Sequence, residues 1–383
     1  MTRLGFVDSA RGMAVVLAML AHALSQFTGG IPEFWRIQEP ALLFTRTATP
    51  TFMILFGIMI EVVYLRKLRE GVAQIDMKRR LLGRLITCYL LFCAITLAAF
   101  LTGKLTPGET VLAMLYLDGG RFGVILKIYA MLFAIILVTL SFAERFGSLF
   151  YVVVALYGWA LKYALVASDL PSNHFISFIS GHGNGFGPAI LVGMTLVAFG
   201  TMIGEAFTGR RHWIYPLAVL TIALAIILSG VITQDPVDFI RYTIKGARWA
   251  NEPAYFAYGI VACSVSLAFF ALIWGWRNRP ASRVSFSSLG RDTLFFYGFG
   301  NIAINLLPVY EGPGWQGLFY AVAFVLALCL ITLAKAPICA RINTHAFGLL
   351  QRLDELYNDL NKALVGGILS ISEQARGGAL PNR

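Results

Sequence analysis

Charged side chains are scarce in this chain. Only 20 of its 383 residues are Asp or Glu, and all charged types together make up 13%. Soluble domains carry about 25%, so an ordinary water-soluble enzyme is excluded. The 58% hydrophobic content equally excludes a disordered chain. Cysteine is rare too. The five residues Cys88, Cys93, Cys263, Cys329 and Cys339 form no CxxC pair and no Cys/His spacing of a metal site. They read as small apolar packing residues, with no disulfide framework and no metal. There is no visible internal repeat, so the inverted-repeat signature of many transporters finds no support.

What the chain has instead is long apolar runs, with a mean hydropathy of +0.72. A bilayer core needs roughly 20 apolar residues per helix. Ten stretches qualify as expected spans: Gly12–Phe27, Leu42–Leu65, Leu85–Thr102, Gly123–Phe142, Leu149–Ala167, Phe186–Ala206, Trp213–Ile232, Pro253–Trp276, Leu289–Tyr310 and Gln316–Lys335. The first is short and is expected to extend backward through Asp8. It resembles a signal-peptide core, but Asp8 and Arg11 just before it and the spans that follow point to a retained helix. Thr110–Leu117 is too short to span and reads as a re-entrant or interfacial piece.

The net charge of +11 comes from 31 Lys+Arg. A basic balance first suggests nucleic acid or an anionic surface. Sorted by span, 22 of the 31 basic residues fall on the side holding both termini, and the opposite side carries nine basic and nine acidic residues. The positive-inside rule then gives an N-in, C-in chain with both ends cytoplasmic and no nucleic-acid partner. The expected fold is an all-α polytopic membrane protein with a transmembrane domain over 1–340. The tail, 341–383, repeats Leu349, Leu350, Leu353, Leu356, Tyr357, Leu360 and Leu364 at helical spacing, which predicts an amphipathic cytoplasmic helix before a flexible end.

Charged groups inside spans are costly and mark function. Asp8 and Arg11 stand at i,i+3 and can pair. His22 follows Arg11 by eleven residues, about 1100° of helix, so the two share one face with about 16 Å of rise between them. Alone, His22 would read as a core histidine bonded to a neighbouring helix; the Asp8/Arg11 pair on its stripe favours a functional role. In the second span Pro50 removes an amide and clashes with the carbonyl of Arg46, which predicts a kink that frees a backbone acceptor beside a guanidinium; the plainer reading of Arg46 is an interfacial arginine snorkelling to headgroups. Gly57 permits close approach of another helix. Lys127 and Tyr129 sit near the start of the fourth span. Lys162 reads as a snorkelling lysine, and Glu61 and Glu205 as ordinary helix-end charges. Gly181–Gly187 is glycine-rich without a Walker pattern and reads as a flexible lid or turn. The loop from Asp235 to Glu252 ends with Arg248 and Trp249, followed by Tyr255, a set suited to a sugar or carboxylate ligand, or to a plain interfacial loop. Lys78, Arg79, Arg80 and Arg84 form either an orientation signal or a phosphate patch.

These residues resemble the acyltransferase-3 family of integral membrane acyltransferases. Asp8-Ser-Ala-Arg11-Gly12 with His22 is similar to its first-helix signature, and Arg46-x-x-x-Pro50-x-Phe52 through Gly57 to its second. Arg80 and Arg84, Phe199-Gly200 through Gly204, and Leu289-Gly290-Arg291 through Tyr297 resemble later motifs. The chain departs from the family pattern at Phe56, where Ser is frequent, at Gly300, where His is frequent, and in the three residues between Arg80 and Arg84. The resemblance implies ten helices in a bacterial inner membrane. It also implies transfer of an acetyl or succinyl group from cytoplasmic acyl-CoA, the donor substrate, to a hydroxyl of a periplasmic glucan or other envelope carbohydrate. His22 would be the general base, or would carry the acyl group covalently, and Asp8 would orient Arg11. Arg46 would stabilise the oxyanion or hold a carboxylate, with Lys127 and Tyr129 assisting. Arg11, Arg80 and Arg84 would hold CoA phosphates, and Arg248, Trp249 and Tyr255 the acceptor. A homo-oligomer is compatible with this reading. A secondary transporter or flippase for an anionic or lipid-linked sugar, and an assembly subunit acting through the tail helix, are the rival expectations.

Overall fold

The computed structural model describes residues 4–28, 41–183, 187–274, 286–310 and 314–341, with Asp359 and Ala363 further along. Among these residues every regular element is a helix, and nine helices are long and apolar enough to cross a membrane. They are α1 (Gly5–Phe27), α2 (Ala41–Arg69), α3 (Gln74–Leu101), α5 (Val124–Phe146), α6 (Ser148–Ala167), α8 (Ile190–Phe207), α9 (Ile214–Thr233), α12 (Pro253–Ile273) and the apolar part of α15 (Gly314–Lys335). Between them lie the short α4 (Pro107–Met114), α7 (His174–Ser180), α10 (Pro236–Ile244) and α11 (Gly246–Trp249). The fold is consistent with a polytopic membrane protein. The expected tail helix lies outside the described residues, apart from the helical Asp359 and Ala363.

The expected ninth span, Leu289–Tyr310, forms differently. It folds as α13 (Phe286–Arg291) and α14 (Thr293–Leu306), separated at Asp292, and neither piece alone has the length of a span. The cause is local. Thr293 Oγ1 donates to the Gly290 carbonyl at 2.7 Å, competing with the backbone ladder. Pro308 forces Leu307 into extended backbone and ends α14 early. Lys104 then collects the freed carbonyls, donating to Asn305 O at 2.6 Å and also to Leu307 O.

Burial sorts the helices. α2 and α8 are mostly enclosed, α1 is half enclosed, and α6, α9 and α15 lie on the periphery. A helix apolar all round belongs in the interior, and the stretch Ala48–Met59 of α2 is such a helix. Pro50 has the expected effect: the helix opens at Arg46 and Thr47 and restarts at Ala48. α1 packs against α2, α12, α13, α14 and α15, so the residues on its faces meet most of the bundle.

Two close approaches set this packing. A Cβ on Gly57 would stand 2.2 Å from Val197 O, and one on Gly200 1.9 Å from Ile54 O, so α2 and α8 touch backbone to backbone. The same holds for α1 and α13: a Cβ on Gly290 would lie 1.7 Å from Asp8 O, and one on Gly12 2.0 Å from Phe286 O. Small residues permit such contact in helix pairs. Gly290→Ala is therefore expected to destabilise the protein by about 1–3 kcal/mol, read as a lowered thermal midpoint. An unchanged midpoint would show that α1 and α13 do not pack through this glycine.

Candidate functional site

The unbroken α1 carries Asp8, Arg11 and His22, as the spacing predicts. Two cavities lie along it. The first, of about 480 Å³, is lined by His22, Arg46, Arg121, Arg248 and Trp249 among others. The second, of about 600 Å³, is lined by Asp8, Arg11, Lys67, Arg84, Tyr129 and Arg291 among others. Phe52, Ile125 and Tyr297 border both. Arg11 and His22 thus face different chambers that meet at a waist of three apolar and aromatic side chains.

His22 is held from three sides. Its ring stacks on Phe122 at 4.7 Å between centroids and meets Tyr297 edge-on at 5.8 Å. Its Nδ1 lies 2.7 Å from Asn301 Oδ1. Asn301 Nδ2 donates to Tyr297 O at 2.8 Å, so its amide oxygen is the atom that faces the ring. Nδ1 must then carry the proton, and Nε2 keeps a lone pair. Tyr297 is fixed in turn, donating from its hydroxyl to Phe122 O at 2.8 Å. Asn301 escaped the sequence reading. The available signal was an amide one helical turn beyond Tyr297, in an otherwise apolar stretch.

Around the first cavity the arginines come from separate places. Arg46 hangs from the break in α2. Arg121 precedes α5 and donates from Nη2 to Gln26 Oε1 at 2.7 Å. Burial lowers its pKa from the ordinary guanidinium value. Neighbouring Lys104 is pushed down to about 8, first by burial and then by the Arg121 charge. Arg248 lies over the Trp249 ring at 5.2 Å. Tyr255 is fully buried behind this wall, within electrostatic reach of Arg46 and Arg248, and does not line the cavity.

Lys162 does more than the snorkelling role expected of it. It is 3% exposed, donates to Asn251 O at 2.8 Å and pairs with Glu252 at 3.3 Å. Asn251 Oδ1 accepts from the Ala189 amide at 2.7 Å. These bonds tie the segment bearing Arg248 and Trp249 to α6 and to the start of α8. Of the glycine-rich segment, residues 184–186 lie outside the described residues; Gly187 borders the first cavity.

At the second cavity Asp8 pairs with Arg11 at 3.5 Å, the i,i+3 contact the spacing predicts. Arg84 reaches this lining but Arg80 does not; Arg80 is exposed on α3. Lys67 and Arg291 complete the cationic set, and neither was proposed as a ligand from the sequence. Tyr129 donates to Phe52 O at 2.8 Å, close to the waist.

Lys127 stands apart from Tyr129 and lines neither cavity. Two residues along a helix turn through about 200°, so the pair had to diverge. The Lys127 ammonium donates to Asp118 O at 2.7 Å and sits 4.6 Å from the Phe178 ring. It also lies 3.4 Å from His174 Nε2. Its charge and burial lower the His174 pKa, burial being the larger cause.

Glu61 and Glu205, expected as ordinary helix-end charges, are both fully buried. Glu205 meets Arg210 at 3.3 Å and Arg211 at 3.2 Å, and accepts from the Ser148 amide at 3.1 Å. Glu61 pairs with Arg69 and lies 4.0 Å from Arg210. Arg69, Arg210 and Arg211 are near their acids in sequence, but Arg210 also bridges to Glu61 from far along the chain, a link the linear sequence hid. Among the described residues no three His, Cys, Asp or Glu side chains come together as a metal-ligand set. No family model, no curated protein and no solved structure matches the chain.

Proposed function

We propose that the protein is a membrane-embedded O-acyltransferase. In this reading it takes an acetyl or succinyl group from acyl-CoA on the cytoplasmic side and transfers it to a carbohydrate hydroxyl on the far side of a bacterial inner membrane. One observation carries the reading: two cavities open along α1 and meet at Phe52, Ile125 and Tyr297, with a cationic cluster in one and a histidine of fixed tautomer in the other. In this scheme the α13–α14 pair completes a tenth crossing, and both termini are cytoplasmic, following the Lys/Arg distribution.

Arg11, Arg84, Lys67 and Arg291 would bind the donor's phosphates, since guanidinium forks and ammonium groups match phosphate oxygens. Asp8 keeps Arg11 in place. The thioester arm then has about 16 Å to cover along α1 to reach His22. The His22 Nε2 lone pair takes the proton of the acceptor hydroxyl as its oxygen attacks the thioester carbonyl carbon. The carbon–sulfur bond breaks, and the His22 imidazolium returns the proton to the leaving thiolate. The products are an ester and free CoA thiol. Arg46, in the same cavity as His22, would stabilise the carbonyl oxygen as it gains charge.

Reconstituted liposomes test this. Labelled acyl-CoA on the Arg11 side and an oligosaccharide on the His22 side should yield labelled ester only in the acceptor compartment. Ile125→Trp, which fills the waist, is expected to cut transfer by about 100-fold while acyl-CoA binding persists, because small misplacements at the reacting centre cost that much. The broken helices α2 and α13–α14 also suit a transporter of an anionic or lipid-linked sugar. A protein that binds no acyl-CoA but moves labelled sugar across the bilayer would decide for that alternative.

A further inference from the structure

The cavity around His22 carries charge of one sign. Arg46, Arg121 and Arg248 line it, and among the described residues no Asp or Glu does. Among the described residues none of these three arginines forms an ion pair; Glu252, the acid of the neighbouring loop, is taken by Lys162. The Nε atoms of Arg46 and Arg121 are buried without a hydrogen-bond partner. Arg46 and Arg248 lie within electrostatic reach of each other and of the His22 ring. Like charges gathered in a low-dielectric chamber repel strongly unless an anion joins them, and buried unpaired donors are costly. The arginine of the Asp8–Arg11 pair, in the other cavity, has a carboxylate beside it; these three have none.

We infer that the ligand of the His22 cavity bears a fixed negative charge, a carboxylate or a phosphate, gripped by Arg46, Arg121 and Arg248 while Trp249 covers its uncharged part. Guanidinium groups bind such anions through paired N–H donors. An indole face suits the apolar face of a sugar ring or an acyl chain. The acyl-transfer reading supplies two carriers for the charge. It belongs either to the far end of a dicarboxylic acyl group or to an acidic or phosphorylated acceptor sugar. The inference rests on that reading only for the choice of carrier, because the charge itself follows from the lining.

The test uses the full chain in nanodiscs of phosphatidylcholine, whose headgroups have no net charge. It is titrated calorimetrically with succinate, with glucose 1-phosphate and with glucose. At least one anion is expected to bind about tenfold or more tightly than glucose. Arg121→Gln and Arg248→Gln are each expected to weaken that binding by about tenfold, and Arg248→Lys by less. Arg241→Gln, an exposed arginine paired with Asp238 and outside the cavity lining, should leave it unchanged. Binding of succinate alone assigns the charge to the acyl group, and binding of the sugar phosphate alone assigns it to the acceptor. Glucose binding as tightly as both anions, or anion binding that survives both Gln variants, overturns the inference. Acyl-CoA binding in the same preparations reports separately on the enzyme reading. Its absence with anion binding intact would remove that reading and leave the anion site standing.

Discussion

His22→Ala is expected to lower acyl transfer by about 10²–10⁴-fold while leaving acyl-CoA binding intact. The size follows from the role proposed for it: in that scheme the variant removes the group that accepts the hydroxyl proton, while the donor's phosphates would bind in the other cavity, which Arg11, Arg84, Lys67 and Arg291 line. Two further variants separate chemistry from packing. Asn301→Leu keeps the imidazole but removes the acceptor that pins the Nδ1 proton, so part of the population adopts the tautomer with Nε2 protonated. Its rate should fall less than that of His22→Ala, and kcat should fall more than KM changes. His22→Gln keeps a polar side chain of similar reach without a basic nitrogen, and should be as inactive as the alanine variant. Wild-type turnover in a membrane-inserted His22→Ala protein would remove His22 from the chemistry.

Glu205→Ala is expected to cost about 3–5 kcal/mol of stability, because removing one member of a buried ion pair leaves its partners charged and unmatched. Glu205 holds Arg210 and Arg211 and accepts from the Ser148 amide. Arg210 also donates to Glu144 O at 3.3 Å and Arg145 O at 3.1 Å, at the end of α5. The carboxylate therefore fastens the ends of α2, α5, α6 and α8 together. Differential scanning fluorimetry in detergent should show a clear fall in midpoint for Glu205→Ala, and a smaller one for Glu205→Gln, which still accepts from Ser148. A midpoint within a degree of wild type would mean that the cluster contributes nothing net, as well-solvated ion pairs often do.

The spans were legible because a run of twenty apolar residues leaves few options in any solvent. The shared face of Arg11 and His22 was legible from helix geometry alone, as was the break before Pro50. Other features depended on partners that only folding brings near. Asn301 meets His22 across 279 residues, and Lys162 meets Asn251 across 89. Neither distance leaves a mark in local composition. Glu61 and Glu205 looked like helix-end charges because the packing that buries them, with Arg210 shared between the two, joins segments far apart in the sequence. The break at Asp292 escaped notice because Leu289–Tyr310 is apolar enough on average. One threonine hydroxyl competes with the ladder at the break, and one proline stops the second piece after Leu306; averages do not register single residues.

The waist at Phe52, Ile125 and Tyr297 bears on electrical insulation. A bilayer spreads its voltage over a hydrocarbon layer of about 30 Å. Where two chambers approach from either side, the drop concentrates across the side chains between them. A unit charge moving through that layer exchanges about 2.3 kcal/mol with each 100 mV of membrane potential. In the proposed topology these three residues would be the dielectric of a small capacitor, and their thickness would set how strongly any charged group passing them is coupled to the energised state of the membrane.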